Sequence, residues 1–342
     1  MKFCVFGAGA VGGFVGGMVA RTDIEVSLIA RGDHLAALRK NGLRVITPDE
    51  EFTVTPPATD TPAELGVQDV IFLSAKAHGL TAAAEALQPL IGPDTVIVSA
   101  QNGIPFWYFH THGGSLDGYT LQTVDPGGRI ADSIGCARVI GCVITSSNTV
   151  VDPGVVRNIG NRIFAIGEPD GSLSPRLNEI AATLTNAGLE APMTEAIRSE
   201  VWVKMWGNVS FSPMAALTLS KLGPLVERDD LQRLGVSIME EVQAVGEALG
   251  VAFHQKIIDR IEGTRKVSDH KTSILQDLEA GRPMEVDGIT GAVVELGRLT
   301  GVQTPMIDLT YALLRQRARE AGLYPEIDFN PLAVPDSSNQ TT

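Results

Sequence analysis

The chain is short of cysteine. It has three in 342 residues, Cys4, Cys136 and Cys142, and no two of them stand at CxxC spacing. An odd number without that spacing fits neither a disulfide framework nor a zinc site, so we expect reduced thiols. Histidine gives no metal site either, because the only close pair, His110 and His112, has no clear acidic partners nearby.

Positive charge and long apolar runs are also scarce. With 27 basic and 40 acidic residues the formal net charge is -13, which disfavours nucleic acid and anionic membranes as partners. Apolar stretches such as 70–75 and 96–100 are far shorter than the ~20 residues that cross a bilayer. The first residues resemble no secretion signal. We therefore expect a soluble, cytoplasmic protein that binds small molecules.

Short β-rich runs alternate with helical patterns through the first hundred residues. Such runs are typical of parallel strands buried on both faces, and the alternation predicts an α/β fold with a Rossmann-type, doubly wound sheet. The predicted segments are Phe3–Phe6, Val11–Ala20, Glu25–Ala30, His34–Lys40, Val70–Ser74, Thr81–Ile91 and Val96–Ala100.

The pattern changes twice further along the chain. Strand-like runs 139–145, 155–158 and 163–166, separated by turn signals at Asp152-Pro153-Gly154 and Gly160-Asn161, predict a small extension of the sheet. Beyond Pro192 the periodicity is helical. We predict a Rossmann-type domain with a small β extension at 1–193, an all-helical domain at 194–330 and a tail at 331–342. A long loop is predicted at Gly113–Gly128.

The segment Gly7-Ala8-Gly9-Ala10-Val11-Gly12 predicts a dinucleotide site. It directly follows the first strand and opens the first helix, which is the context that the GxGxxG motif requires. Gly7 permits a tight turn, Gly9 permits close approach of a pyrophosphate, and Gly12 permits close helix packing. The N–H groups of the helix N-terminus bind the anion.

Two further positions follow strand ends. Arg31 stands where an NAD-specific protein usually has an acidic residue, which indicates the 2′-phosphate of NADP, although a solvated surface arginine is the alternative. Lys76 adds a basic group that meets phosphate, substrate or only water. Asn102, in Gln101-Asn102-Gly103, binds the nicotinamide ribose or the substrate, or forms a simple turn.

In the helical half, Lys204, Asn208 and Ser212 are spaced i, i+4, i+8, which predicts one polar face of one helix. If that face lines a cleft, Lys204 is a proton donor to a carbonyl oxygen; the alternative is the solvated side of an amphipathic helix. Pro213 predicts a kink or an end to this helix. Glu285 is predicted in the first turn of a later helix, where it favours the helix dipole or binds a substrate hydroxyl.

Together these residues, with Ser273-Ile274-Leu275-Gln276-Asp277, strongly resemble the ketopantoate reductase (2-dehydropantoate 2-reductase) family. The resemblance implies NADPH-dependent reduction of ketopantoate to (R)-pantoate, in pantothenate and coenzyme A biosynthesis. It implies that Lys204 is the general acid and that Glu285 binds the substrate hydroxyl. It also implies that Asn208 and Ser273 hold the carboxylate and carbonyl, and that Asn102 lies by the nicotinamide.

Two positions depart from the family pattern. Ser212 stands where many members have asparagine, and Leu222 stands where the family has a substrate-binding asparagine. A family member that reduces a different 2-oxo acid or related ketone is therefore one alternative. A relative of the β-hydroxyacid dehydrogenases and a non-catalytic NADP-binding sensor are the others. The residues leave open whether the protein is a homodimer.

Overall fold

The computed structural model describes residues 1–327 and 329–332, so the predicted tail lies outside the described residues except for 331 and 332. The strands are β1 (Lys2–Phe6), β2 (Glu25–Ile29), β3 (Leu43–Ile46), β4 (Glu51–Val54), β5 (Ala58–Thr59), β6 (Val70–Leu73), β7 (Val96–Ser99), β8 (Val139–Asp152) and β9 (Val155–Gly167). The first helices are α1 (Ala10–Val19), α2 (Gly32–Asn41), α3 (Leu80–Ala86), α4 (Arg129–Ile134) and α5 (Pro175–Asn186). The later helices are α6 (Ile197–Val209), α7 (Phe211–Thr218), α8 (Leu222–Glu227), α9 (Asp229–Ala248), α10 (Ile257–Arg265), α11 (Ser273–Glu279), α12 (Ala292–Thr300) and α13 (Pro305–Glu320).

The chain forms two compact units. The sheet unit comprises 1–120 and 127–200, and the helical unit comprises 121–126 and the described residues from 201 onward. The units divide after Glu200, a few residues beyond the predicted boundary at 193/194, which stays a prediction. No helix in the described part of the chain is both long and apolar enough to cross a membrane.

One sheet organises the first unit, in the order β4-β3-β9-β8-β7-β6-β1-β2-β5. The run from β5 to β8 is parallel, and β1 pairs with β2 on one side and with β6 on the other. The strand order therefore reverses at β1, which is the switch point where doubly wound sheets bind ligands. The predicted fold class is confirmed.

The predicted extension is present, but it is larger than expected. β8 and β9 form a long antiparallel hairpin in the same sheet, and β9 runs without a break through Gly160-Asn161. The turn predicted there was wrong, because residues 159–161 form a bulge within β9 instead: Asn158 pairs with Asn148 and Arg162 pairs with Ser146. Asn158 is buried and donates to Ser146 Oγ at 3.2 Å and to Asn148 Oδ1 at 2.9 Å.

Three short strands, β3, β4 and β5, were not predicted from the sequence. β3 is parallel to β9 and β4 is antiparallel to β3, so both belong to the extension. In β4 exposed and partly buried residues alternate, and only the partly buried ones, Phe52 and Val54, are apolar. Four residues of such a pattern are too few to distinguish a strand from a loop.

The predicted loop at Gly113–Gly128 is a loop with two short 3-10 turns, and its middle belongs to the helical unit. Glu295 on α12 is buried and accepts from the backbone N–H groups of Gln122 and Thr123, at 2.8 and 2.9 Å, and from Thr123 Oγ1 at 2.6 Å. One carboxylate therefore anchors residues 121–126 to the helices.

Candidate active site

The glycine loop connects β1 to α1 at the switch point. Gly7 has a φ of +99°, a conformation that favours glycine, so the chain turns sharply there. The N–H groups of Gly7 and Ala8 donate to the Ile29 carbonyl at 3.2 and 2.9 Å, and the Gly9 N–H donates to the Gly7 carbonyl at 2.7 Å. The loop is thus fastened to the end of β2, and the tight turn predicted for Gly7 is confirmed.

The other two motif glycines differ in what surrounds them. A Cβ at Gly12 would lie 2.3 Å from the Gly7 carbonyl oxygen and 2.4 Å from Ser74 Oγ, so a side chain there would separate the helix from the sheet. A Cβ at Gly9 would meet nothing within 4 Å. The open space beside the Gly9 backbone fits the close approach of a pyrophosphate that the motif predicts.

The N-terminus of α1 offers donors to that space. The helix begins at Ala10, with Gly9 at the N-cap, and no described side chain caps it. Gly9 is exposed, and Ala10 and Val11 are partly buried. The first N–H groups of an α-helix lack partners within the helix and carry its positive dipole end, so they suit an anionic group. This end of α1 fits a dinucleotide pyrophosphate.

The remaining predicted cofactor residues lie at the same edge of the sheet. Phe6 of β1 pairs with Ile29 of β2 and with Leu73 of β6, and Leu73 pairs with Ser99 of β7. These residues end their strands, and the strands are parallel. Arg31 follows β2, Lys76 follows β6 and Asn102 follows β7, so the structure brings all three to the carboxyl edge beside the glycine loop.

Their exposure suits ligand binding. Arg31 is exposed at the N-cap of α2, whereas Lys76 and Asn102 are partly buried. An exposed guanidinium next to the strand end remains available for a phosphate, as predicted for the 2′-phosphate of NADP.

Two side chains that were not predicted as site residues fix this edge. Ser74 Oγ donates to the Gly7 carbonyl at 2.9 Å, which links the end of β6 to the glycine loop. Gln101 Nε2 donates to the Leu73 carbonyl at 2.5 Å, and Gln101 Oε1 accepts from Ser99 Oγ at 2.6 Å. These bonds position Asn102. Their signal in the sequence was only a polar residue directly after a strand.

His34, on α2, fixes the turn between β8 and β9. Its Nδ1 accepts from the Gly154 N–H at 3.1 Å, and burial lowers the pKa of the imidazole, an effect that the nearby Ala8 backbone only partly offsets. A neutral ring is therefore favoured behind the glycine loop.

In the helical unit, α6 carries the predicted polar row. From Val201 to Val209 every residue is buried except Lys204 and Asn208, which are partly exposed. The two side chains are one helical turn apart and so lie on the same face. Between Val201 and Val209 the amine and the amide are thus the partly exposed groups of α6, an arrangement that suits a site better than a solvated surface.

The prediction that Ser212 lies on the same helix as Lys204 and Asn208 was wrong. α6 ends at Val209, Ser210 interrupts it with φ −97° and ψ −85°, and Ser212 lies on α7, where it is buried. The interruption has a physical cause. Pro213 has no N–H to donate to the Val209 carbonyl and its ring clashes with that carbonyl, so the break comes one turn before the proline. Ser210 Oγ donates to the Trp206 carbonyl at 2.5 Å.

Ser273 is the first residue of α11 and is exposed. The preceding residue, Thr272, caps the helix by accepting from the Leu275 N–H at 3.4 Å. α11 packs against α7, so the helices that carry Ser273 and Ser212 are neighbours.

Glu285 is buried. The prediction that it lies in the first turn of a helix was wrong. Glu285 lies in a connection without regular secondary structure, just before a π-helical turn at Asp287–Gly291. The connection is tied to the end of the chain that follows α13, because the Met284 N–H donates to the Leu323 carbonyl at 2.9 Å. The sequence could not reveal the π turn, since its apolar period resembles that of an α-helix.

A buried carboxylate network begins two residues later. Asp287 Oδ1 accepts from Tyr311 Oη at 2.5 Å and from Tyr324 Oη at 2.9 Å. Burial raises the pKa of Asp287. Burial and the neighbouring carboxylate also raise the pKa of Tyr324 to about 12, so this hydroxyl stays a donor. The network fixes the start of the π turn and thereby the segment that carries Glu285.

Leu222, the other position that departs from the resemblance, begins α8 and is buried. Its N–H donates to the His270 carbonyl at 3.1 Å. Burial lowers the pKa of His270. An apolar side chain at this position cannot hydrogen-bond a substrate, so it contributes shape only.

Comparison with known proteins bears on both units. The family model described as "Ketopantoate reductase PanE/ApbA" matches residues 3–171, and the model described as "Ketopantoate reductase PanE/ApbA C terminal" matches 196–318. A curated 2-dehydropantoate 2-reductase of Mesorhizobium japonicum is 47% identical over 327 residues, which cover 95% of this chain and 100% of that protein. One of Pyrococcus horikoshii is 28% identical over 94% and 99% of the two chains.

A solved structure agrees with the sequence matches. A ketopantoate reductase family protein from Ralstonia solanacearum MolK2 is 40% identical and superposes with a TM-score of 0.89, covering 94% of this chain and 99% of that one. The similarity therefore spans the sheet unit and the helical unit together.

Proposed function

Because the chain belongs to the ketopantoate reductase family, we propose that it reduces the C2 ketone of ketopantoate to (R)-pantoate with NADPH. Family membership confirms the predicted family and the predicted enzyme class, an oxidoreductase with a nicotinamide cofactor. The observation that carries the substrate proposal is the full-length match at 47% identity to the Mesorhizobium japonicum 2-dehydropantoate 2-reductase.

The sheet unit would hold the cofactor at the carboxyl edge of the sheet. The N–H groups at the start of α1 would receive the pyrophosphate, and the open space at Gly9 would admit it. Arg31 would bind the 2′-phosphate, Lys76 would add positive charge at the edge, and Asn102 would orient the nicotinamide end. When bound, NADPH supplies the hydride to the C2 carbon.

The helical unit would supply the proton and the substrate contacts. Lys204 would donate a proton to the carbonyl oxygen as negative charge develops on it, which is where stabilisation accelerates the reaction most. Asn208, one turn further along α6, would donate to the same oxygen or to the carboxylate. Ser212 and Ser273, on the neighbouring helices α7 and α11, would add hydroxyl contacts, and Glu285 would accept from the substrate hydroxyl.

One observation favours a second candidate within the same reaction class. The family's amide donor is replaced by buried Leu222, and buried Ser212 is shorter than asparagine. A different 2-oxo acid, with less hydrogen-bonding capacity and more apolar surface, fits these changes. The distinction concerns the substrate and leaves the role of Lys204 unchanged.

We also propose that the enzyme acts in the cytoplasm. A homodimer is kept as a proposal that sedimentation analysis of the purified protein tests.

The test is steady-state oxidation of NADPH and of NADH with a panel of 2-oxo acids, ketopantoate among them. The proposal expects the highest kcat/KM for ketopantoate with NADPH. A higher value for another 2-oxo acid would select the second candidate. Binding of NADPH with no turnover of any 2-oxo acid would favour a non-catalytic sensor instead.

A further inference from the structure

Arg260, on α10, is a cation whose guanidinium has no partner among the described residues of the helical unit. Its side chain is partly buried, and its Nε is sealed from solvent without a hydrogen bond. Burial alone lowers the pKa of its guanidinium. Within the described ranges the Arg260 side chain forms no ion pair and no hydrogen bond; the hydroxyl of Thr264 reaches only its backbone carbonyl, at 2.9 Å. Arginine nevertheless stays protonated in proteins, so a positive charge remains at this position.

Arg198 provides a contrast. Burial also lowers its pKa. Yet Arg198 donates to three backbone carbonyls, those of Tyr108 at 2.8 Å, Pro169 at 2.5 Å and His110 at 2.6 Å. The structural role of that guanidinium is complete within the protein. Arg260 has no such set of acceptors, and a withdrawn charge without acceptors is costly unless a ligand supplies them.

The position of Arg260 indicates where such a ligand would bind. A Cβ at Gly207 would lie 2.7 Å from Arg260 Nη2 and 3.4 Å from Cζ, so the guanidinium occupies the space that a side chain at 207 would fill. Gly207 is on α6, three residues after Lys204 and one before Asn208. The guanidinium therefore flanks the polar row on which the proposed chemistry depends.

We propose that Arg260 binds the carboxylate of the 2-oxo acid substrate at the flank of the Lys204–Asn208 row. The inference rests on the proposed function. The guanidinium fork matches a carboxylate in geometry and charge, and it is more weakly hydrated than a lysine ammonium. Glycine at 207 is then required because any larger residue would displace the guanidinium.

The first test compares Arg260→Met with Arg260→Lys, and uses Arg265→Met as the control, because Arg265 is an exposed residue of the same helix that pairs with Glu262. Kinetics are measured with ketopantoate and with its uncharged primary amide. For Arg260→Met we expect the KM for the acid to rise by about 10- to 100-fold, because the substitution removes a charged, hydrogen-bonded pair with the carboxylate. The KM for the amide and kcat should change by less than about threefold, and Arg260→Lys should fall between wild type and Arg260→Met.

A merely structural arginine would raise both KM values together or leave both unchanged, and either result overturns the proposal. Thermal unfolding of each variant guards against misfolding. Replacing a buried unpaired charge by Met should not lower the melting temperature.

A second variant keeps the test independent of Arg260 itself. Gly207→Ala should raise the KM for ketopantoate in the wild-type background and have little further effect in the Arg260→Met background, because the guanidinium that it displaces is already absent. Additive effects of the two substitutions would contradict the proposal.

Calorimetric titration with pantoate separates this inference from the proposed function. If wild type binds pantoate but reduces no 2-oxo acid, the function fails, and weaker binding by Arg260→Met still supports the inference. If wild type reduces ketopantoate and Arg260→Met has an unchanged KM and pantoate affinity, the inference fails and the function stands. If wild type neither binds pantoate nor reduces ketopantoate, both fail.

Discussion

The two units present their candidate ligand-binding residues in different ways. At the edge of the sheet unit, the ligand surface is mostly backbone, shaped by a left-handed glycine, an uncapped helix start and three parallel strand ends in register. In the helical unit the surface is made of side chains, and it depends on interruptions: the break at Ser210 and the π turn that follows Glu285. A backbone site is destroyed by adding atoms, whereas a side-chain site is destroyed by removing them.

The largest effect on activity is expected in the helical unit, when the amine of Lys204 is removed. Lys204→Ala should lower kcat/KM for ketopantoate by about 10²- to 10⁴-fold, because a positioned proton donor is lost. NADPH affinity, measured by fluorescence titration, should stay within about twofold of wild type since the sheet unit is unaltered. Lys266→Met, at an exposed lysine after α10, serves as the control. Full activity in Lys204→Ala would remove the proton-donor role.

Adding a methyl group should break the sheet edge in two distinguishable ways. Gly12→Ala places a Cβ 2.3 Å from a backbone oxygen, so it should lower the free energy of unfolding by about 1–3 kcal/mol and also weaken cofactor binding. Gly9→Ala meets no protein atom within 4 Å, so stability should be kept. The NADPH dissociation constant should still rise about 10-fold or more, since a methyl would occupy the pyrophosphate space.

The matched control for these variants is Gly263→Ala, inside α10, where a Cβ also meets nothing. It should stabilise the protein by up to about 1 kcal/mol and leave NADPH binding unchanged. Urea unfolding and NADPH titration of the three variants check the set. Unchanged NADPH affinity in Gly9→Ala would show that the open space at Gly9 is not a cofactor site.

Arg31 is the exception at the sheet edge, because its contribution is a side chain. Arg31→Ala should raise the KM for NADPH by about 10-fold, because a charge-assisted contact to the phosphate is lost. The KM for NADH should be nearly unchanged. The NADPH preference should also weaken as ionic strength rises. Equal effects of the substitution on NADPH and NADH would contradict the assignment of the 2′-phosphate to Arg31.

The smallest effect concerns the support of Glu285 and appears as a pH dependence. Since burial raises the folded-state pKa of Asp287 above its ordinary value of 3.8, the folded protein holds this proton more tightly than the unfolded chain. Its contribution to stability is therefore greatest below pH 3.8 and is lost as pH rises through the raised pKa. Asp287→Asn keeps an oxygen that accepts from Tyr311 and Tyr324 but cannot titrate.

The difference in unfolding free energy, Asp287→Asn minus wild type, should therefore increase from pH 4 upward and then level off. Urea unfolding at a series of pH values measures it. Asp229→Asn, at an exposed residue of α9, should show no such trend. A pH-independent difference for Asp287→Asn would mean that the carboxylate is charged throughout, and that its fixed charge holds the two tyrosines.

The contrast between the units also explains what the sequence could predict. The glycine loop and the strand ends follow from local patterns, because each residue's position is set by the strand or turn that it belongs to. Arg31, Lys76 and Asn102 were predicted from a strand boundary alone, and the parallel sheet brings them to one edge. The short strand β3 was missed because its partner β9 is distant in the chain, and β4, which pairs with β3, was missed because four alternating residues do not distinguish a strand from a loop.

In the helical unit the local rules were weaker. Lys204 and Asn208 share a helix face as the spacing predicts, but Ser212 lies beyond a break that begins one turn before Pro213. Glu285 depends on a π turn and on contacts with the chain near Tyr324, which no short window of sequence contains. That the Arg260 guanidinium lies against Gly207, with no partner among the described residues, likewise becomes apparent only in the folded structure.

The central claim is that the backbone edge holds NADPH while Lys204 completes the reduction of a 2-oxo acid. It is tested most directly by incubating the enzyme with ketopantoate and NADPH deuterated at C4 of the nicotinamide, on the transferred face, and analysing the product by mass spectrometry. The account predicts pantoate with one deuterium at C2, formed by wild type and almost absent with Lys204→Ala. Unlabelled pantoate, or equal formation by both proteins, would contradict it.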